Sequence, residues 1–322
     1  MSTLYPFLLI PIFDERPWGV RDLRPVYTKI VKEPIGESWL TWSDNRIANG
    51  PLAGRTLGEI ANEFKRDLVG NAAAYEDRFP LLVKFLFPAE KLSVQVHPDD
   101  AAARRVGEPC GKTECWYVLD AQPGAQVALG LKPSTTIADF EASIRENRAE
   151  ELLNWIDVSA GDMLFVAAGT VHTIGGGMVL VETQQTSDIT YRLYDYGRGR
   201  ELHIEDGFAA IKLDTSAGKV IHQPDDDPNI LLRSPFFQVE KLKLTAPLDA
   251  RVTPASPHIV VAIDGSGIVE SAGMEPVSFA KGDGVIVPAS LPTYSLRPQW
   301  DLEIMRMSVP TGNVAEPQTK LG

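Results

Sequence analysis

"GDMLFVAAGTVHTI", residues 161–174, is the stretch that sets the fold. It reads as glycine-aspartate, an apolar strand, a turn of small residues, and a return strand that begins at His172. Short apolar runs broken by such turns are the mark of antiparallel β-structure. "GDGVIVPASLPTYSL", from Gly282, repeats the pattern and carries Thr293 where the first copy has His172. "HIVVAIDGSGIVE" (258–270) echoes "ECWYVLDAQPGAQV" (114–127) in the same way. A pattern that recurs at two places implies two related β-units, one with a histidine suited to a metal and one without.

Outward from there the chain keeps the same texture. "FPLLVKFLF" (79–87), "KLSVQVH" (91–97), "MVLVETQQ" (178–185) and "FFQVEKLKL" (236–244) are further short strands. The expected class is mainly β, a pair of sandwiches or barrels. Helices are fewer. "TLGEIANEFKRDLVG" (56–70) opens with a capping box, Thr56 with Glu59, and ends at Gly70. "SIRENRAEELLNWIDV" (143–158) has apolar residues at helical spacing after Thr135 and Thr136. "DDAAARRV" (99–106) follows Pro98 and has a carboxylate at its start, where the helix dipole favours one. The expected helical insertions are about 56–70 and 134–158.

The 322 residues carry 31 Lys+Arg against 43 Asp+Glu, a net charge of −12. That balance argues against nucleic acid or an anionic membrane as partner, since both need a basic surface. It leaves room for a small anionic substrate held by a few local cations. Cys110 and Cys115 form neither a CxxC pair nor a disulfide framework, so a reducing cytoplasm is the expected compartment. "MSTLYPFLLIPIF" lacks the basic start and cleavage site of a signal peptide and reads as a first strand. No transmembrane run is expected.

Chemistry gathers on the strands. In "KLSVQVHPDD" (91–100), Leu92, Val94 and Val96 fall on one face, and Ser93, Gln95 and His97 on the other. Lys112, Glu114 and Trp116 share a face of the next strand, and Cys115 points away. His97, Glu114 and His172, with the amide of Gln95, offer two imidazoles, a carboxylate and an oxygen. Such a set suits Zn²⁺ or another first-row divalent ion with room left for substrate. A lone strand histidine is more often structural; three such residues, each beside a β-turn, favour a site. His203, His222 and His258 take the structural reading. "TQQTSDITYRLYDYGRGR" (183–200) mixes arginines with aromatics and amides. Arginine's fork matches carboxylate or phosphate, so Arg192 is expected in the site, Arg198 is a candidate substrate contact, and Arg200 is expected on the surface.

These residues resemble a known family. "GDMLFVAAGTVH" is similar to the second motif of the cupins, with Ala167 in place of the usual proline. "FPLLVKFLFPAEKLSVQVHPDD", "GKTECWYVLD", "GTVHTIGGGMVLVETQQTSDITYRLYDYGR" and "IGESWL" together resemble the type I mannose-6-phosphate isomerases in their short bacterial form, over roughly residues 18–206. Val20 in "ERPWGV" and the "SWLTWSD" segment depart from that pattern. The resemblance implies two cupin-type β-barrels (jelly rolls): a metal-bearing catalytic domain over 1–235 and a degenerate domain over 236–322. It implies one Zn²⁺ per chain on His97, Glu114 and His172, with Gln95 as fourth ligand. It implies Arg192 and Lys112 as active-site, catalytic residues and a phosphosugar substrate; beside it, Ser93, Lys112, Glu182 and Arg198 are expected from the residues themselves as substrate contacts. The reaction would be aldose–ketose isomerisation of mannose 6-phosphate and fructose 6-phosphate through a cis-enediol. Lys112, a metal-bound hydroxide and Glu182 stand as alternatives for the base. The expected assembly is a monomer or homodimer. A cupin oxygenase and a non-catalytic sugar-binding cupin are the competing classes. The first has no clear need for Lys112 and Arg192, and the second shows no DNA-binding helix pair.

Overall fold

A computed structural model describes residues 4–71, 78–222, 227–252 and 256–321. Four antiparallel sheets account for most of its regular structure. An eight-stranded sheet has the order Ile12–Asp22, Ile30–Trp39, Leu81–Leu86, Met178–Gln185, Glu114–Ala121, Met163–Val166, Gly218–Val220, Thr319–Lys320. Facing it is a five-stranded sheet: Tyr191–Tyr194, Val94–Val96, His172–Ile174, Gln126–Leu131, Leu153–Asp157. The C-terminal part adds a six-stranded sheet, which includes His258–Asp264 and Gly284–Val287, and a four-stranded sheet, which includes Thr293–Pro298.

The central strands of the eight-stranded sheet are buried on both faces, so Leu81–Leu86 and Met178–Gln185 are buried at every position, their polar residues Lys84 and Glu182 included. Val83, Phe85, Cys115, Tyr117 and Val181 face the six-stranded sheet and share a core with Ile259, Ile286 and Met305. Leu86, Trp116, Val118 and Leu180 face the five-stranded sheet and pack with Val127, Leu129 and Ile174. The site lies on this second side.

The two glycine-aspartate units are built alike. Gly161 and Gly282 both have left-handed φ, +95° and +92°. Gly161 donates to the carbonyl of Val118 at 2.8 Å, and Gly282 to that of Ala262 at 2.9 Å. Asp162 accepts from the amide of Ser159, and Asp283 from that of Ala280. In each unit the small-residue turn crosses between sheets instead of closing a hairpin. Met163–Val166 lies in the eight-stranded sheet and His172–Ile174 in the five-stranded one; Gly284–Val287 and Thr293–Pro298 divide the same way. The "GGG" turn is a further crossing. A Cβ on Gly176 would stand 2.4 Å from the carbonyl oxygen of Ala89, so only glycine fits there.

The termini exchange sheets. Phe7–Leu9 pairs with Gly284–Val287, and Thr319–Lys320 pairs with Gly218–Val220. The N-terminal strand is therefore present, but in the sheet of the C-terminal half.

The helices are Leu57–Phe64, with the Thr56–Glu59 capping box, Arg66–Val69, Asp100–Arg105, Ile137–Arg145 and Ile204–Ala210. The 134–158 segment corrects the sequence reading. Its helix stops at Arg145, Asn147 turns left-handed at φ 57°, and Leu153–Asp157 is a strand paired with Gln126–Leu131. Apolar residues at helical spacing lost here to a left-handed stop, after which Leu153 and Ile156 bury as strand residues. Among the described residues no helix is long and apolar enough to cross a membrane.

Candidate metal centre and substrate cavity

Val94–Val96 sits between two strands of the five-stranded sheet, and its register composes the site. Gln95 is directly opposite His172 on one side and Arg192 on the other. Val94 and Val96 anchor the strand by packing against Phe140, Leu193 and Tyr191. Leu92 departs from the expected alternation and lines the cavity. Pro98 ends the strand after His97, and Asp99 caps the next helix by accepting from the amide of Ala102 at 2.8 Å. The chain then returns with Lys112 bonded to the carbonyl of Pro98 and enters the strand at Glu114.

His97, Glu114 and His172 converge, with candidate ligand atoms all within 4.8 Å of one another. Each is 1% exposed, a burial that a free imidazole pair and carboxylate would not tolerate without a partner. His172 Nε2 lies 3.3 Å from Glu114 Oε1, and His97 Nε2 lies 3.6 Å from Glu114 Oε2. Each imidazole is oriented from behind: His97 Nδ1 donates to the carbonyl of Ile189 at 2.8 Å, and His172 Nδ1 to that of Thr170 at 2.9 Å. This fixes the tautomer that turns both Nε2 lone pairs inward. His97 Nε2 and both Glu114 oxygens have no hydrogen bond of good geometry. Burial holds His97 well below its ordinary pKa and His172 at about 4, so both are neutral, the state a ligand needs. Burial pushes Glu114 up, and Lys112, 3.3 Å away, opposes that shift. Three orphaned, inward-facing donors of this chemistry fit a divalent metal. Gln95 Nε2 lies 3.2 Å from His172 Nε2; a half-turn of the amide presents its oxygen instead.

Beside this centre is a cavity of about 450 Å³. Ser93, Gln95, Lys112, Glu182 and Arg192 line it, so the structure gathers these expected residues in one place. Glu182 is nearly buried, accepts from the indole of Trp116 at 3.0 Å and lies 3.3 Å from Lys84. Burial raises its pKa, as does Glu114, against Lys84 and Lys112. Arg192 reaches the carbonyl of Glu201 through Nη1 at 2.9 Å, and its buried Nε has no partner. Arg198 and Arg200 exchange the expected places. Arg198 does not line the cavity; it turns to Glu90 and the carbonyl of Lys91 and packs over Tyr196. Arg200 lines the cavity.

Sequence reasoning missed Lys84, Glu37 and Arg16, which also line it. Lys84 is 3% exposed, 3.2 Å from Glu37 and 4.6 Å above the Trp39 ring. A single lysine inside a strand of six buried residues was the available signal. Of the remaining histidines, His222 is exposed and the other two are structural in their contacts. His203 accepts from the amide of Arg192, and His258 bonds to the hydroxyl of Tyr294 at 2.9 Å.

The phosphomannose isomerase type I catalytic-domain model matches residues 12–141. Mannose-6-phosphate isomerase ManA of Bacillus subtilis is 36% identical over 311 residues, covering 91% of this chain and 96% of the relative. The chain belongs to the type I phosphomannose isomerase family. The mannose-6-phosphate isomerase of Streptococcus mutans is 34% identical, covering 93% and 97%. The crystal structure of the Bacillus subtilis mannose 6-phosphate isomerase superposes with a TM-score of 0.81 at 31% identity, covering 94% of this chain and 99% of that one. Membership makes this chain one of a family of aldose–ketose isomerases. The metal-fitting triad stands beside the cavity, where the lining residues Gln95 and Lys112 reach His172 and Glu114. Arg192 stands two strands from His172, about 9–10 Å across the sheet.

Proposed function

We propose that this chain interconverts mannose 6-phosphate and fructose 6-phosphate through a cis-enediol, with one Zn²⁺ held by His97, Glu114 and His172 and by Gln95 as a fourth ligand. The observation that carries the reading is the buried, convergent His97–Glu114–His172 triad, with His97 Nε2 and both Glu114 oxygens unpartnered, beside a cavity lined by Lys112, Glu182 and Arg192. Bound there, Zn²⁺ supplies Lewis acidity, which makes the carbon next to the substrate carbonyl easier to deprotonate.

The chain's own residues divide the rest. Glu182 takes the proton from that carbon and returns it to its neighbour; its burial and raised pKa suit a base working near neutral pH. Lys112 stands on the metal side of the cavity and donates to the substrate oxygen that gains charge. Arg192, two strands away, holds the phosphate, a separation of the order of an extended six-carbon sugar phosphate. Ser93 bonds a hydroxyl between them. Arg198, engaged elsewhere, has no part in this assignment. The facing sheet pairs are read as two cupin-type β-barrels, a catalytic one over 1–235 and a degenerate one over 236–322, with their terminal strands exchanged, and the enzyme is assigned to the cytoplasm.

A coupled assay that converts mannose 6-phosphate to fructose 6-phosphate tests the function. Turnover of this sugar above glucose 6-phosphate and unphosphorylated mannose is expected. Absence of turnover with metal supplied would remove the proposal.

A further inference from the structure

The loop between Tyr191–Tyr194 and Ile204–Ala210 carries two arginines and one buried carboxylate, and Arg192 stands in the strand just before it. Asp195 is 4% exposed. Arg200 forks onto it, Nε to Oδ2 at 2.8 Å and Nη2 to Oδ1. Arg198 Nη1 reaches the same Oδ1 at 3.4 Å, and the Arg198 amide donates to the Asp195 carbonyl at 3.1 Å. Left-handed φ at Tyr196 (55°), Gly197 (77°) and Gly199 (78°) folds the loop so tightly that neighbouring arginines leave in different directions. Arg198 goes outward, to Glu90 at 3.3 Å and the Lys91 carbonyl at 2.8 Å. Arg200 goes to the cavity, where Arg192 and Thr190 also stand.

The charge inventory of the cavity gives this arrangement a purpose. Lys84 is shared by Glu37, Glu182 and Asp188, Arg16 is paired with Asp14 and Glu37, and Lys112 with Glu114. Asp195 is the carboxylate that pairs with Arg198 and Arg200, and Arg192 keeps a buried, unpartnered Nε. Arg192 and Arg200 line the same cavity, where burial and the like charge of Arg200 lower the Arg192 pKa. Two forks with less than matching counter-charge form a seat for a dianion.

We propose that Asp195 is a positioning residue that fixes Arg200 in the cavity as a second guanidinium beside Arg192, making Arg200 a specificity residue for the substrate's phosphate while Arg198 latches the loop to Glu90 and Lys91. This rests on the isomerase reading above. It assigns the preference for a phosphorylated sugar in part to Arg200, which sequence reasoning had put on the surface.

Steady-state kinetics of Arg200→Gln, Arg200→Lys, Asp195→Asn and the double variant Asp195→Asn/Arg200→Gln test it, with inorganic phosphate as competitive probe. Arg200→Gln is expected to raise KM about 10–100-fold, with kcat within about threefold, since a charge-assisted bond is lost from binding alone. The phosphate inhibition constant should rise in parallel, and Arg200→Lys should recover part of both. Asp195→Asn should raise KM in the same sense. The double variant should be no worse than Arg200→Gln within about twofold, because Asp195 acts through Arg200. An unchanged KM and phosphate constant in Arg200→Gln overturns the proposal, as does a double variant whose losses multiply. Should the wild type prove inactive, the isomerase reading fails separately. Calorimetric phosphate binding to wild type and Arg200→Gln then still decides this assignment.

Discussion

Replacing Lys84 by methionine keeps the length of the side chain and removes its charge from the middle of the buried network. The Lys84 ammonium is 3.2 Å from Glu37, 3.3 Å from Glu182 and 3.8 Å from Asp188. Without it, Glu37 retains Arg16 at 3.0 Å and the Trp39 indole, while Glu182 retains the Trp116 indole and the more distant charge of Lys112. Removing one member of a buried ion pair costs about 3–5 kcal/mol, mostly the penalty of the charge left behind. The loss should depend on pH. In the wild type, burial pushes Glu37 up, but Lys84 and Arg16 outweigh it and hold it at about 2. Its stabilising contribution is therefore complete above the unfolded carboxylate pKa and fades as the pH falls through about 2. In Lys84→Met, Glu182, already raised, rises further above its unfolded value. Folding then favours the protonated carboxyl, so the penalty grows as pH climbs above the unfolded pKa and shrinks below it. Urea unfolding of metal-free protein at pH 7.5 and pH 5 reads this directly, with metal linkage removed. The expected loss is about 3–5 kcal/mol at pH 7.5 and clearly smaller at pH 5. A loss equal at both values, or none at pH 7.5, would refute the balanced-network reasoning.

Glu182→Gln should lower kcat by about 10²–10⁴-fold in the coupled assay while the protein still binds metal; a kcat near wild type would exclude Glu182 as base. Gly111→Ala would place a Cβ 2.5 Å from the Pro98 carbonyl oxygen, between His97 and Lys112. Melting should show destabilisation of about 1–3 kcal/mol and metal titration a weaker site. Arg192→Gln is expected to raise KM for mannose 6-phosphate and leave bound metal unchanged; metal loss in this variant would contradict its place at the far end of the cavity.

Alternation along strands was enough to bring Gln95, His97, Glu114 and His172 to one side, and to turn Cys115 to the other. The reason is physical: a strand half-devoted to a site must keep period two. Lys84 was illegible for the converse reason. Its strand is buried on both faces, so no alternation marks a side chain that points into the site. Glu37 and Arg16 were hidden because their role depends on that lysine. The strand Leu153–Asp157 was masked by apolar spacing that serves either element, and only the left-handed Asn147 decides between them. Arg198 and Arg200 exchanged places because three positive-φ residues between Asp195 and Arg200 set the direction of each side chain. Alternation cannot follow the chain through such a turn.

The central claim is that isomerisation depends on metal at the His97–Glu114–His172 centre. Zn²⁺ titrated into chelator-stripped protein, with mannose 6-phosphate turnover followed at each addition, tests it most directly. Activity should be absent at the start, rise in proportion to added metal and level off at one Zn²⁺ per chain. Full turnover in the stripped protein, or a rise that persists when Glu114 is replaced by alanine, would contradict it.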